Sequence, residues 1–339
     1  MPNITIKDIA RKFKCSPSTV SRALNNYEHT NIETRNTIQE YAQKMGYQRN
    51  SVSLSLLQKN TKTLGIVLPN ISQFHESAMV EGLQSVLQPL GYLLNICVTN
   101  ESYSLEKEYV ERLMSNRVDG IFISIAQETY SEVRYEHLQT VMNRNVPLIF
   151  IDRQNGDKKT HCVSTDDYLG AYMATEHLIN GGYKRIAHLR GPLGVNLAEQ
   201  RFNGYRDCLY KHHYPIEDNL VSFVNFNIES AIEPTKALLD LPNPPDAIFG
   251  VNDQVCFGAF QVIREKGLKV PDEIAVIGFD NTPISAYFYP SLSTIARKSK
   301  PIGEEAAKLF LKQINEPTTA NHIVLPPELI VRNSSSQPN

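Results

Sequence analysis

The stretch Thr5-Ile6-Lys7-Asp8-Ile9-Ala10-Arg11-Lys12-Phe13-Lys14-Cys15-Ser16-Pro17-Ser18-Thr19-Val20-Ser21-Arg22-Ala23-Leu24-Asn25 says most about this chain. Ile6, Ile9, Ala10 and Phe13 recur at i, i+3, i+4 and i+7, the apolar face of a short helix. Thr5 with Asp8 three residues later is an acidic form of the capping-box start. Ser16 offers a second N-cap with Pro17 at the first helical position, so a new helix begins after a turn of two or three residues. Val20 and Leu24 give it a narrow buried stripe, leaving Pro17, Ser18, Thr19, Ser21, Arg22 and Asn25 outward. Two short helices, the second polar outside, match a helix-turn-helix that enters a major groove. On spacing alone, an ordinary helical hairpin with a solvated face remains open.

Charge favours the first reading. Residues 1–60 carry nine Lys/Arg against four acids, whereas the remaining 279 carry 25 basic and 32 acidic residues. A basic head on an acidic body fits a nucleic-acid module joined to something that does not bind nucleic acid. The five cysteines are scattered, with no Cys-x-x-Cys pair, so free thiols in a reducing compartment are expected. The amino terminus has no signal-type apolar region and no run approaches 18 apolar residues, so a cytoplasmic, non-membrane protein is expected.

A third helix is read over Glu33–Met45, stopped by Gly46, giving a head of residues 1–49. Residues 50–60 form a Ser-rich segment with leucines, too short to be a stable helix alone, and read as a hinge. From Thr63 the pattern alternates. Apolar runs at 64–69, 92–98, 120–124, 147–152, 184–189, 247–251 and 274–280 are interleaved with amphipathic helices at 79–90, 105–114, 169–180, 201–212 and 253–266. This rhythm predicts an α/β body of two similar lobes with parallel sheets. Residues 333–339, rich in Ser, are expected to be a disordered tail.

With these residues in hand, the chain resembles the LacI/GalR family of bacterial transcription regulators. The head carries Ser18-Thr19-Val20-Ser21-Arg22-Ala23-Leu24-Asn25 and then Gly46-Tyr47, Asn50 and Leu56. The body carries Arg117-Val118-Asp119-Gly120, Asp152-Arg153, Gly191-Pro192, Arg201-x-x-Gly204-Tyr205, Asn252-Asp253, Gly278-Phe279-Asp280-Asn281 and Pro290-Ser291-Leu292-Ser293-Thr294-Ile295, all in family order. The resemblance implies an amino-terminal helix-turn-helix head, a hinge helix, and a two-lobed body like that of periplasmic binding proteins, with three crossovers. Mapped here, the first lobe takes 61–161 and 293–322 and the second 162–292 and 323–332. It also implies a homodimer on pseudo-palindromic double-stranded operator DNA, and a small-molecule effector, a sugar or phosphosugar. A repressor of sugar-utilisation genes is the function so implied, with no cofactor or metal and no enzymatic activity.

By the same resemblance Arg22 reads bases, with Pro17 and Ser18 at the other specificity positions. Thr5, Ser16, Thr19, Ser21 and Asn25 suit phosphate oxygens, although capping and surface residues have the same appearance. In the hinge, Leu56 is the minor-groove wedge, with Asn50 and Ser53 beside the backbone. Leu54 and Leu57 depart from the common pattern. For the effector, Asp152, Arg201, Asn252 and Asp280 follow strands or open helices and so reach a cleft, with Phe226 and Phe74 as stacking candidates and Ser124 and His75 beside them. Surface salt bridges and capping are the alternative for the polar four. Arg297 is a further departure: facing the ligand, it favours a phosphorylated or acidic sugar. A transport-type sugar-binding protein, the rival reading, does not account for the basic head. An enzyme finds no support in phosphate-loop, dinucleotide, nucleophile-elbow or metal-ligand motifs, and His212-His213 are helix neighbours that cannot face one ion.

Overall fold

A computed structural model of the chain describes residues 4–27, 30–47, 60–156, 160–316 and 319–336. It divides into two units, Met1–Thr61 and Lys62–Asn339. The first contains α1 (Ile6–Lys12), α2 (Pro17–Leu24) and α3 (Ile32–Lys44). The capping box at Thr5 forms, with the Asp8 amide donating to Thr5 Oγ1 (3.3 Å) and the Thr5 amide to Asp8 Oδ2 (3.0 Å). Ser16 caps α2 by accepting the Thr19 amide at 3.1 Å. Lys14 takes a positive φ of 50° in the turn between them. Ile9, Ala10, Val20, Ala23, Ile38 and Ala42 form the small core, with Phe13 edge-on to Tyr41. Met45, read as the last residue of the third helix, instead follows it as the C-cap and is exposed. Asn50, Ser53, Leu56 and the rest of the expected hinge up to residue 59 lie outside the described residues.

The second unit begins β1 (Thr63–Leu68), α4 (Phe74–Leu87), β2 (Leu93–Val98), α5 (Tyr103–Ser115), β3 (Ile121–Ile123), α6 (Gln127–Ser131), α7 (Glu136–Asn143), β4 (Leu148–Ile151), β5 (His161–Thr165). It continues α8 (Asp167–Asn180), β6 (Ile186–Arg190), α9 (Asn196–Lys211), β7 (Val221–Phe223), α10 (Glu229–Leu239), β8 (Ala247–Gly250), α11 (Asp253–Glu265), β9 (Ala275–Asp280). The last elements are β10 (Ser293–Ala296), α12 (Ser299–Asn315), β11 (His322–Leu325) and β12 (Glu328–Ile330). The sheets run β11-β5-β4-β3-β1-β2 and β12-β10-β9-β8-β6-β7. Among the described residues every strand pairing is parallel except that of β10 with β12.

Central strands read as unbroken apolar runs because both faces are covered. In β1, Leu64, Ile66 and Leu68 pack with Met79, Leu83, Ile302 and Phe310 of α4 and α12, while Val67 joins Val110 and Leu113 of α5 on the other face. Helices α4 and α12 approach so closely that a Cβ on Gly303 would stand 2.0 Å from the Met79 carbonyl oxygen, and one on Gly82 2.1 Å from that of Lys300.

Three crossovers join the lobes, between β5 and α8, β10 and α12, and β11 and β12. They differ from the expected boundaries. Residues 162–165 and 323–325, expected in the second lobe, are strands of the first sheet, paired Cys162 to His322 through Thr165 to Leu325. Residues 293–296, expected in the first lobe, pair with Ile277–Asp280 in the second. Sheet membership is set by the partner strand, more than a hundred positions away in the case of β5 and β11, and local pattern carries no record of it. The crossovers are tied together: the Asp166 amide donates to the Leu325 carbonyl (3.0 Å) and Arg297 Nε to Thr165 Oγ1 (3.4 Å).

The expected disordered tail is also corrected. Ser334 and Ser335 are buried. Ser334 Oγ donates to the Val276 carbonyl (2.6 Å) and accepts the Ser293 amide (2.8 Å), and Ser335 Oγ reaches Ser293 Oγ (2.7 Å). Small hydroxyls satisfy buried backbone groups here, a use that composition alone disguises as disorder. Residues 337–339 lie outside the described part.

Candidate functional site

In the head, Ser16, Pro17, Ser18, Arg22 and Asn25 are exposed, and Thr19 and Ser21 half-buried, opposite the buried Val20 and Ala23. Helical geometry thus collects the expected α2 contacts on one face. Ser16 Oγ is within 2.7 Å of Ser18 Oγ and 2.8 Å of Thr19 Oγ1, which orders the start of the helix. Among the described residues the Arg22 guanidinium makes no hydrogen bond or ion pair, so it is free to meet a partner. Thr5 is different, since its hydroxyl donates to Asp8 Oδ2 at 2.6 Å within the cap.

In the body, polar side chains converge at the carboxyl ends of the strands, as expected for a parallel-sheet fold. Asp152 follows β4 with a φ of 65°, and Asp280 ends β9 with a φ of 105°. Both backbones are strained, a cost of order 1–3 kcal/mol each that is tolerated where function fixes a side chain. Arg201, in α9, is 1% exposed; its Nε donates to Asp167 Oδ1 (2.9 Å) and its Nη1 to the Val251 carbonyl (2.6 Å), with Nη2 ion-paired 2.8 Å from Asp167 Oδ1. Its Nη2 also lies 3.5 Å from Asp280 Oδ1, and its guanidinium stacks 3.7 Å over the Phe279 ring.

Arg297, on the middle crossover, pairs with Asp152 of the first lobe and reaches Asp280 of the second at 3.4 Å. His75 Nε2 stands 3.3 Å from Asp152 Oδ2, and its Nδ1 2.7 Å from Ser299 Oγ. A continuous chain, His75–Asp152–Arg297–Asp280–Arg201–Asp167, therefore spans both lobes. Burial presses hard on it. It pushes Glu76 up to about 7, raises Asp280 well above the ordinary carboxylate range, lowers Arg297 to about 9, and keeps His75 neutral, with Arg297, Arg201 and Arg153 adding to the last effect.

Of the expected effector residues, Asp152, Arg201 and Asp280 thus meet in one network. Asn252 and Phe226 form a second group. Asn252 Nδ2 donates to the Phe226 carbonyl (3.2 Å) while Oδ1 caps α11 at the Val255 amide (3.0 Å), so Asn252 makes the expected cap and also holds the Phe226 backbone. From the first lobe Gln73 Nε2 also reaches the Phe226 carbonyl (3.5 Å), and the Arg153 guanidinium lies 5.1 Å from the Phe226 ring centre. Ser124 is buried beyond β3, with its amide donating to the Val67 carbonyl (2.9 Å), and Phe74 is an exposed first residue of α4. Neither joins the network.

Sequence reasoning missed Asp167, Glu76, Arg153 and Asp253. Asp253 accepts from Thr282, Ser285 and Thr294 (2.6–3.1 Å), pinning the segment after β9. The only local signal for Asp167 and Glu76 is an acid in the first turn of a helix, which ordinary dipole complementation also produces.

The family comparisons fit this two-part layout. Residues 5–50 match the model for bacterial regulatory proteins of the lacI family, and residues 175–335 match that for a periplasmic binding protein-like domain. The chain is 31% identical over 332 residues to the ribose operon repressor of Halalkalibacterium halodurans, covering 98% of this chain and 97% of that protein. The chain belongs to the LacI family. It is thus a DNA-binding transcription regulator and not an enzyme. It is 32% identical to the probable HTH-type transcriptional repressor ExuR of Bacillus subtilis, covering 98% of each. Among solved structures, the lac repressor dimer bound to operator and the anti-inducer ONPF matches with a TM-score of 0.87 at 25% identity, over 98% of this chain and 99% of that one.

Proposed function

We propose that this family member is a homodimeric repressor of sugar-utilisation genes whose cleft takes a neutral, polyhydroxylated effector. The observation that carries the ligand class is charge balance. Every guanidinium at the cleft has its own carboxylate: Arg153 pairs with Glu101 (2.8 Å), Arg201 with Asp167, and Arg297 with Asp152. Asp280 and Glu76 are additional acids. Arg297 lies in the cleft network yet is committed to Asp152 and Asp280, so a phosphosugar or sugar acid would find no unpaired guanidinium to receive its charge. Hydroxyls suit the same groups, donating to carboxylates and accepting from guanidinium. The names of the two relatives support repression, and the ribose operon repressor supports a sugar.

Dimer formation is supported by apolar side chains left exposed: Leu93 and Ile96 on the edge strand β2, and Ile284, Tyr287 and Tyr289 in the second lobe. The head would read DNA with Arg22, so Arg22→Ala is expected to cost about 1–3 kcal/mol on the specific operator and little on random DNA. Equal losses on both, in a mobility-shift titration at fixed salt, would make Arg22 a phosphate contact. Calorimetry with paired ligands tests the cleft: a sugar phosphate or sugar acid binding more tightly than its neutral parent would refute a neutral effector.

A further inference from the structure

A cavity of about 390 Å³ opens at the outer mouth of the cleft, between the lobes, outside the charged network. Its lining includes six side-chain amides, Asn70, Gln73, Asn100, Gln127, Asn225 and Asn227, together with Ser131 and two carboxylates already engaged, Glu101 with Arg153 (2.8 Å) and Glu128 with the Tyr103 amide (2.9 Å). The six amides follow the carboxyl ends of β1, β2, β3 and β7, in loops or, for Gln127, at the first position of α6, so segments after four separate strands bring amides to one space. Among the described residues the side chains of Asn100, Gln127 and Asn225 make no hydrogen bond. Asn70 and Asn227 spend only their oxygens, on Ser72 (2.7 and 2.8 Å) and on the Ser230 amide (2.9 Å), leaving their NH₂ groups to donate. Phe226 supplies an apolar wall shared with the inner cleft.

The two regions differ in chemistry. The inner network is ionic, its charges paired with one another, whereas the mouth presents unspent amide donors and acceptors beside one aromatic ring and two carboxylates already bonded elsewhere. Amides can donate and accept in fixed geometry without a charge to compensate, the chemistry that recognises a saccharide's hydroxyl edge. The volume falls in the range of about 300–1,000 Å³ usual for ligand pockets, in addition to whatever the inner groups hold.

We infer that the mouth is a second saccharide subsite, so that the effector is a neutral oligosaccharide of two or more units and not a single sugar. This rests on the cleft being the effector site, as proposed above. One unit lies against the inner network at Arg201 and Asp280, and the next lies in the amide-lined mouth against Phe226.

The test is titration calorimetry on the full chain with neutral probes: ribose, glucose and galactose, then cellobiose, maltose, lactose and their trisaccharide homologues. Gln127→Ala and Asn225→Ala serve as variants, since neither side chain bonds elsewhere and folding should be undisturbed. A disaccharide is expected to bind at least about tenfold more tightly than its component monosaccharide, and each variant to remove most of that advantage while leaving monosaccharide binding unchanged. A monosaccharide binding as tightly as every longer probe, or a disaccharide advantage untouched by both variants, would overturn the mouth subsite while the neutral-sugar reading of the cleft stood. Failure of every probe to bind would overturn both.

Discussion

Replacing Arg297 by Met probes the charge chain that links the lobes. Methionine keeps the unbranched stem but removes the cation between Asp152 and Asp280. Asp152 is then left with His75 at 3.3 Å, which burial holds neutral, and Asp280 with Arg201 at 3.5 Å. Removing one partner of a buried pair costs about 3–5 kcal/mol because the other charge is left uncompensated. Burial already lowers Arg297 to about 9, so relief of its own desolvation offsets part of that cost.

Asp280 already titrates well above the ordinary carboxylate range in the parent, so the loss of Arg297 should raise Asp152 as well, its carboxyl then titrating higher in the folded variant than in the unfolded chain. The folded state holds protons that the unfolded chain has released, so the variant loses stability as pH rises through this window. At about 1.4 kcal/mol per unit of pKa shift, the destabilisation relative to parent should approach 3 kcal/mol or more at pH ~8 and fall to about half that near pH ~5.5. Urea unfolding of parent and variant at both pH values measures the difference directly. A loss below about 1 kcal/mol at the higher pH, or equal losses at both, would mean that Arg297 does not hold the two carboxylates together.

Two further outcomes are expected. Burial pushes Glu76 from 4.5 up to about 7, so folding retains a proton that the unfolded chain has lost. Stability should therefore fall between those pH values by up to about 3 kcal/mol, and Glu76→Gln should flatten that slope in thermal unfolding; an unchanged slope would remove Glu76 as its source. Gly303→Ala should destabilise by about 1–3 kcal/mol, since the new Cβ meets the Met79 carbonyl at 2.0 Å and forces α4 from α12. The better helix propensity of Ala would raise stability by about 1 kcal/mol if the helices were not in contact, so a gain in denaturant midpoint would refute the packing.

The head was legible because its signals are local. Thr5 with Asp8, and Ser16 with Pro17, mark helix starts through bonds to amides within three residues, and each is made as read. The central strands were legible because burial on both faces demands unbroken apolar runs, and α2's outward face because helical period alone separates Arg22 from Val20. Asp152, Arg201 and Asp280 stood out through a resemblance that names residue types after strands and in helices.

Only the tertiary structure decided which sheet holds residues 162–165, 293–296 and 323–325, since pairing energy lies in the partner strand and not in the segment. It alone buried Ser334 and Ser335, because a serine looks solvated until a strand needs its hydroxyl. It also turned Arg297 from a possible anion receptor into a bridge between lobes. A charge takes its role from the groups folded around it, and Asp152 and Asp280 reach Arg297 from 145 and 17 positions away.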